Sequence, residues 1–216
     1  MNNSEIETTL GEIKNLMERS AKVMYLNGSS AIIVGCAALL SAITASWVLY
    51  GNFEIFTLHP SKGIFHMLSF NEKFFIFALA ASLMIFSATV VILMSKRKAE
   101  RLNIKFKFDG VTKKLIISFL IPLGISGLLC LTNISEGRYD VIASDMLIFY
   151  GISLINISLH TYSNTKYLGV GQIIIGLTDS LLPGHSLLFW TLGFGLLHII
   201  YGIYFYCCIE KTNKTI

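Results

Sequence analysis

Five residues of this chain place a polar or titratable side chain in apolar surroundings: Asp145, Asn156, Gln172, Asp179 and His198. Two of them share a pattern. Residues 169–176 read GVGQIIIG, residues 195–202 read GLLHIIYG, and a third stretch, residues 28–35, reads GSSAIIVG. Each runs glycine, two residues, a variable residue, Ile-Ile, one residue, glycine, with Gln172, His198 and Ala31 in the variable slot. On a helix, positions i, i+3 and i+7 lie on one face. The pairs Gly28 and Gly35, Gly169 and Gly176, and Gly195 and Gly202 therefore flank the variable residue on a flat surface, where a second helix can approach closely in lipid. Ala38, Ala42 and Ala45 extend the first of these faces. Gln172 and His198 are thus expected to face other helices, because an unpaired amide or imidazole in hydrocarbon costs several kcal/mol.

Three roles are open to this pair: interhelical hydrogen bonding, a substrate, ion or proton site, and metal or haem ligation. The last is disfavoured. His160 lies at the edge of an apolar run and His59, His66 and His185 lie outside the runs, so His198 has no second histidine at matching depth. Interhelical bonding is the expected role. A direct Gln172–His198 hydrogen bond fits an antiparallel pair, although the expected depths of the two residues differ. Asp145 falls in the first turn of its run, where a carboxylate is favourable at a helix N-terminus, and reads as a solvated end residue. Asp179 lies at a C-terminal end and lacks that support. It is expected to pair with Lys or Arg or to mark an open vestibule. Asn156 reads as a further interhelical hydrogen bond.

No enzyme motif appears: H-E-x-x-H, G-x-S-x-G and a phosphate-cradling glycine loop are all missing from the sequence. Cys36, Cys130, Cys207 and Cys208 form no C-x-x-C pair. No cofactor and no metal are expected, and an enzyme is the least favoured class.

The elements that must position these residues follow from composition. Of 216 residues, 54% are hydrophobic and 14% charged, against about 25% charged in a soluble domain, and the charges cluster between long apolar runs. A helix needs about 20 apolar residues to cross about 30 Å of hydrocarbon. Six spans are predicted, near residues 29–50, 74–94, 115–131, 141–160, 167–182 and 186–209. Asp145 and Asp179 interrupt the fourth and fifth. The expected fold is all-α, a polytopic transmembrane helix bundle over residues 27–209. An amphipathic helix over residues 1–26 precedes it, with Ile6, Leu10, Ile13, Met17 and Ala21 on one side and a capping box at Ser4 and Glu7. A short tail, residues 210–216, follows. Pro122, with Gly124 and Gly127 after it, predicts a kink in the third span.

Residues 95–114 hold Lys96, Arg97, Lys98, Arg101, Lys105, Lys107, Lys113 and Lys114 against Glu100 and Asp109. Short basic loops stay in the cytoplasm. Six spans then place both termini there, and the reading is a multi-pass membrane protein. These basic residues can also rest on anionic headgroups, at about 1 kcal/mol each. A short loop offers too little for nucleic-acid recognition. The apolar stretch from Asn52 to Glu72 is expected to lie in the opposite membrane interface.

Two blocks together, NLMERSAKVMYLNGSSAIIVG and KYLGVGQIIIGL followed by LLFWTLGFGLLHIIYGIYFY, resemble a family of small six-span bacterial inner-membrane proteins with no assigned activity. The resemblance implies the bacterial membrane and transfers no chemistry. The sequence therefore points first to a non-enzymatic sensor, regulatory or accessory component acting through helix–helix contacts. Its partners would be the bilayer and a membrane or cytoplasmic protein, and a homo-oligomer is compatible with it. The alternative is a small transporter or channel with a polar site at Gln172 and His198.

Overall fold

A computed structural model describes residues 10–11, 28–51, 64–101, 110–159 and 165–207. The amphipathic helix expected over residues 1–26 (save two positions), Lys105, Lys107 and the 210–216 tail lie outside the described residues. The described residues form helices, with no strand among them. In chain order they are α1 (Gly28–Tyr50), α2 (Ile64–Met67), α3 (Phe70–Arg101), α4 (Gly110–Ser135), a 3-10 turn (Tyr139–Val141), α5 (Ile142–Ser158), α6 (Thr165–Leu181), α7 (Ser186–Trp190), a π-helical segment (Thr191–Leu197) and α8 (His198–Phe205). The last three run without a break and act as one terminal rod.

Five stretches are long and apolar enough to cross a membrane: Gly28–Tyr50, Phe70–Lys98, Lys113–Ser135, Tyr139–Ser158 and Ser186–Phe205. This is the composition of a membrane-embedded helical protein. In hydrocarbon a chain must satisfy its own backbone, and the helix does so within one segment. The helix α6 has 17 residues, about 25 Å at 1.5 Å per residue, and is shorter than these five.

Local sequence sets the helix ends. Gly51 closes α1 with φ of 69°, and its N–H reaches the Trp47 carbonyl at 3.0 Å, a helix stop that glycine adopts without strain. Ser69 and Glu72 open α3 with a capping box. The Ser69 N–H donates to Glu72 Oε2 at 2.7 Å and the Glu72 N–H to Ser69 Oγ at 3.3 Å. At the far end, α3 runs through the expected loop to Arg101, and α4 already includes Lys113 and Lys114. The described residues of this stretch, 95–101 and 110–114, are therefore helical, not loop. Lys, Arg, Ala and Glu are good helix formers, and basic side chains suit a helix C-terminus, so α3 outlasts its apolar stretch.

The bundle has two ends. One carries Gly51, α2, the 3-10 turn and the 182–185 turn, and is called the Tyr139 end below. The other carries the basic residues of α3 and α4. The central layer consists of two antiparallel pairs, α1 with the rod and α5 with α6, and the N-terminal half of the rod touches both α5 and α6. The helix α3 packs on α1, and α4 packs on α5. Nothing in the apolar window of α3 is buried. At the Tyr139 end, Phe65 stacks on Tyr139 with ring centroids 5.3 Å apart, His66 meets the same ring edge-on, and Lys73 Nζ lies 5.4 Å from its centroid. The described part of the 52–72 stretch is anchored on this ring.

Candidate functional site

The glycine faces position the site. A Cβ on Gly28 would lie 2.7 Å from the Gly202 carbonyl oxygen, and one on Gly202 would lie 2.7 Å from the Gly28 oxygen. Seven residues along, a Cβ on Gly35 would lie 2.8 Å from the Gly195 oxygen. The first and last of the three similar stretches therefore pack directly on each other, running antiparallel. The middle stretch finds a different partner, Gly151 of α5. Here a Cβ on Gly151 would lie 2.6 Å from the Gly169 oxygen, and one on Gly169 would lie 2.7 Å from the Gly151 oxygen. Gly176, one repeat on, abuts Leu147 and Ile148. In each pair the backbones touch where no side chain intervenes, the arrangement that drives association in lipid.

Between the two pairs lies a polar junction. Gln172 of α6 is fully buried and His198 of α8 nearly so. Gln172 Nε2 donates to the Gly193 carbonyl at 2.8 Å. His198 Nδ1 lies 3.0 Å from the same oxygen, and His198 Nε2 lies 3.0 Å from the Tyr150 hydroxyl. A carbonyl oxygen can only accept, so Nδ1 carries the ring proton. Nε2 is then the acceptor, and Tyr150 donates to it. Gln172 Nε2 and His198 Nδ1, 3.3 Å apart, are two donors converging on one oxygen. The same carbonyl fixes the Gln172 amide, since the flipped orientation would set oxygen against oxygen. Gln172 Oε1 is left buried without a partner.

The π-helical segment supplies the shared acceptor. Gly193 lies inside it, and a Cβ there would run into Leu147 Cδ2 and come within 2.7 Å of Gln172 Oε1. Only glycine lets α5 and α6 close on this turn together. Leu147, itself fully buried, fills the apolar half of the junction. An aromatic row covers one side. Tyr150 lies 5.3 Å from Phe194 and 5.6 Å from the His198 ring, Trp190 lies 5.3 Å from Phe194, and Phe119 of α4 meets Tyr150 edge-on at 6.1 Å. Chemically the junction can hold a neutral imidazole in one tautomer and lock three helices in register.

The other polar residues lie elsewhere. Asp145, half-buried in the first turn of α5, has a partner on the neighbouring helix: Asn133 Nδ2 of α4 donates to its Oδ2 at 2.7 Å. Ser153 Oγ donates to the Phe119 carbonyl at 3.0 Å, and Asn156 Nδ2 lies 3.5 Å from the Ser118 carbonyl. These three contacts rivet α4 to α5 along their length. Asp179 lies on the same buried face of α6 as Gln172, two turns further toward the Tyr139 end, and is fully buried. Ala31, in the variable slot of α1, is only partly buried. Of the basic residues in 95–114, those described, Lys96, Arg97, Lys98, Arg101, Lys113 and Lys114, lie at the opposite end from Asp179. Among the described residues, no three His, Cys, Asp or Glu side chains gather closely enough to hold a metal ion.

Sequence reasoning missed Tyr150, Gly151, Gly193 and the π-helical segment. Gly151 had a readable signal. Residues 151–155 read GISLI, the same glycine-to-isoleucine spacing as Gly28–Ile32, Gly169–Ile173 and Gly195–Ile199. Tyr150 had none, because a tyrosine in an apolar run reads as a belt residue. Compared with known proteins, the chain matches no protein-family model, no curated protein and no solved structure.

Proposed function

We propose that this chain is a six-span protein of a bacterial inner membrane, both ends cytoplasmic, serving as a non-enzymatic sensor, regulatory or accessory component through helix–helix contacts. The sixth span is α6, which runs antiparallel to α5. The gathering of Lys96, Arg97, Lys98, Arg101, Lys113 and Lys114 at one end supports a cytoplasmic location for that end. The observation that carries the functional reading is the polar junction. Tyr150 donates to His198, and His198 and Gln172 both donate to the Gly193 carbonyl, the arrangement of a lock between helices. The helix α3, packed on α1 with nothing in its apolar window buried among the described residues, is the surface such a component would offer to a membrane partner.

Photo-crosslinkers placed at Met84 and Phe86 of α3, both exposed, test this in native membranes. A discrete protein adduct from either position is the expected result. Lipid adducts alone at both positions refute a role through α3.

One observation favours the second reading, a small transporter or channel. Gln172 Oε1 has no partner and faces a π-helical turn, a feature frequent at functional sites. Under this reading, Gln172→Leu abolishes a transport activity in a chain that still folds. Under the first, it lowers stability and leaves partner crosslinking through α3 intact.

A further inference from the structure

Asp179 presents a second buried polar group, separate from the junction and independent of the function proposed above. Its side chain is fully buried, and neither carboxyl oxygen has a hydrogen-bond partner. The polar group beside it is Ser186, the first residue of α7. The Ser186 hydroxyl donates to the main-chain carbonyl of Asp140 at 3.0 Å. A serine hydroxyl has a single hydrogen. With that hydrogen on Asp140, Ser186 Oγ turns only lone pairs toward Asp179. An ionised carboxylate is acceptor-only, so the two groups would oppose each other in a setting where burying an unpaired charge is very costly. A protonated carboxyl removes the conflict. It donates to Ser186 Oγ and completes a chain from Asp179 through Ser186 to the Asp140 carbonyl.

The surrounding charges agree. Asp140, on the 3-10 turn, is the charged neighbour felt at Asp179, and its charge is of the same sign. Asp145 of α5 is engaged by Asn133. His185, in the turn before Ser186, has its buried Nδ1 without a partner. The cationic side chains described at this end are Lys73, over the Tyr139 ring, and Arg138, paired with Glu136 at 2.7 Å.

We propose that Asp179 is a proton-binding site at the Tyr139 end of the bundle, with Ser186 as its hydrogen-bond acceptor and the Asp140 main chain as the element that senses its occupancy. Release of the proton draws the Ser186 hydrogen onto the new carboxylate. The Asp140 carbonyl then loses its donor, and the tie between the terminal rod and the 3-10 turn is cut. Proton occupancy thus couples to how firmly the rod is held at this end.

Infrared spectroscopy of the full chain in detergent, with its aspartates carbon-13 labelled, reads this directly. At neutral pH the wild type is expected to show the carbonyl band of a buried protonated carboxyl. Asp179→Asn should lose that band, Asp145→Asn should keep it, and strongly alkaline buffer should convert it to carboxylate. Ser186→Ala should leave the band in place but shift it to higher frequency, because its hydrogen bond is gone. That variant decides the matter if Asp179→Asn does not fold. The proposal is overturned if no such band exists at neutral pH, or if the band is indifferent to Ser186→Ala. It is also overturned if sodium or potassium at neutral pH abolishes the band, since the site would then take a metal cation.

Discussion

Replacing Gly151 by Ala tests the packing geometry most sharply. The added Cβ would lie 2.6 Å from the Gly169 carbonyl oxygen and 3.1 Å from the Ile173 backbone nitrogen. Both are main-chain atoms of α6, and neither can swing aside. Ordinary contact begins near 3.4 Å, so α5 and α6 must part by about 0.8 Å at this level. A gap of about 0.5–1 Å forfeits a quarter to a half of the dispersion attraction between facing atoms. Overpacking of this kind costs about 1–3 kcal/mol, and in a chain of this length each kcal/mol moves the melting temperature by about 2–4 °C. Gly151→Ala should therefore melt about 2–12 °C below wild type in detergent, followed by intrinsic fluorescence.

Gly124→Ala is the matched control. Nothing lies within 4 Å of a Cβ at Gly124, and alanine is the better helix former by up to about 1 kcal/mol, so this variant should melt at or above wild type. The double variant Gly151→Ala with Gly169→Ala adds a diagnostic, because one separation of the helices relieves both clashes. Its loss should be well short of the sum of the single losses. If Gly151→Ala melts no lower than Gly124→Ala, or if the double variant is additive, direct backbone contact between α5 and α6 is wrong.

Three further outcomes follow from the junction and the topology. Tyr150→Phe keeps the ring stack but removes the donor to His198 Nε2, and should lower stability by about 0.6–2 kcal/mol, measurable by detergent unfolding; no loss would remove Tyr150 from the network. His198→Leu leaves the Tyr150 hydroxyl unpaired and should destabilise more than His198→Gln, whose amide can donate to the Gly193 carbonyl; equal melting of the two variants would count against the lock. A reporter fused after Lys107 should read cytoplasmic, and an external signal there would invert the proposed orientation.

The sequence pattern announced which helix faces would be buried, but not which faces meet. Gly-x6-Gly spacing is visible in the chain and says that Gly28, Gly169 and Gly195 each begin a close-packing face. It cannot distinguish α1 against the rod from α1 against α6, because the three stretches share nearly the same side chains. The expected mismatch in depth between Gln172 and His198 shows a different limit. Depth judged from Cα position ignores the lean of helical side chains toward the N-terminus. His198 reaches back along its own rod to Gly193, which is where Gln172 arrives from α6. The π-helical segment that turns this carbonyl toward both donors is a backbone event, and no residue type in Thr191–Leu197 demands it. The partner of Asp145 was illegible for a similar reason. A carboxylate in a first helical turn suits solvent on local grounds, and only the approach of α4 supplies Asn133.

The two helix pairs use one apolar device. Ile32 and Ile199 pack on the glycines of the opposite helix, Gly202 and Gly35, and in the other pair Ile155 packs on Gly169, Ile173 on Gly151 and Ile148 on Gly176. In every case the isoleucine follows a small residue of its own helix by four positions: Gly28, Gly195, Gly151, Gly169 and Ser144. A β-branched side chain has essentially one rotamer in a helix, so docking it against a glycine costs little entropy. The device is strong but unselective, since the isoleucines and glycines of one pair would serve the other. What differs between the pairs is polar. Gln172 and Tyr150 meet Gly193 and His198 only when the rod lies beside α5 and α6 in a single register, and any other pairing buries an amide and an imidazole without partners. The glycines and isoleucines hold the helices together, and the junction selects which helices are held. Loss of the junction should therefore show first as mixed helix pairing and only then as a lower melting temperature.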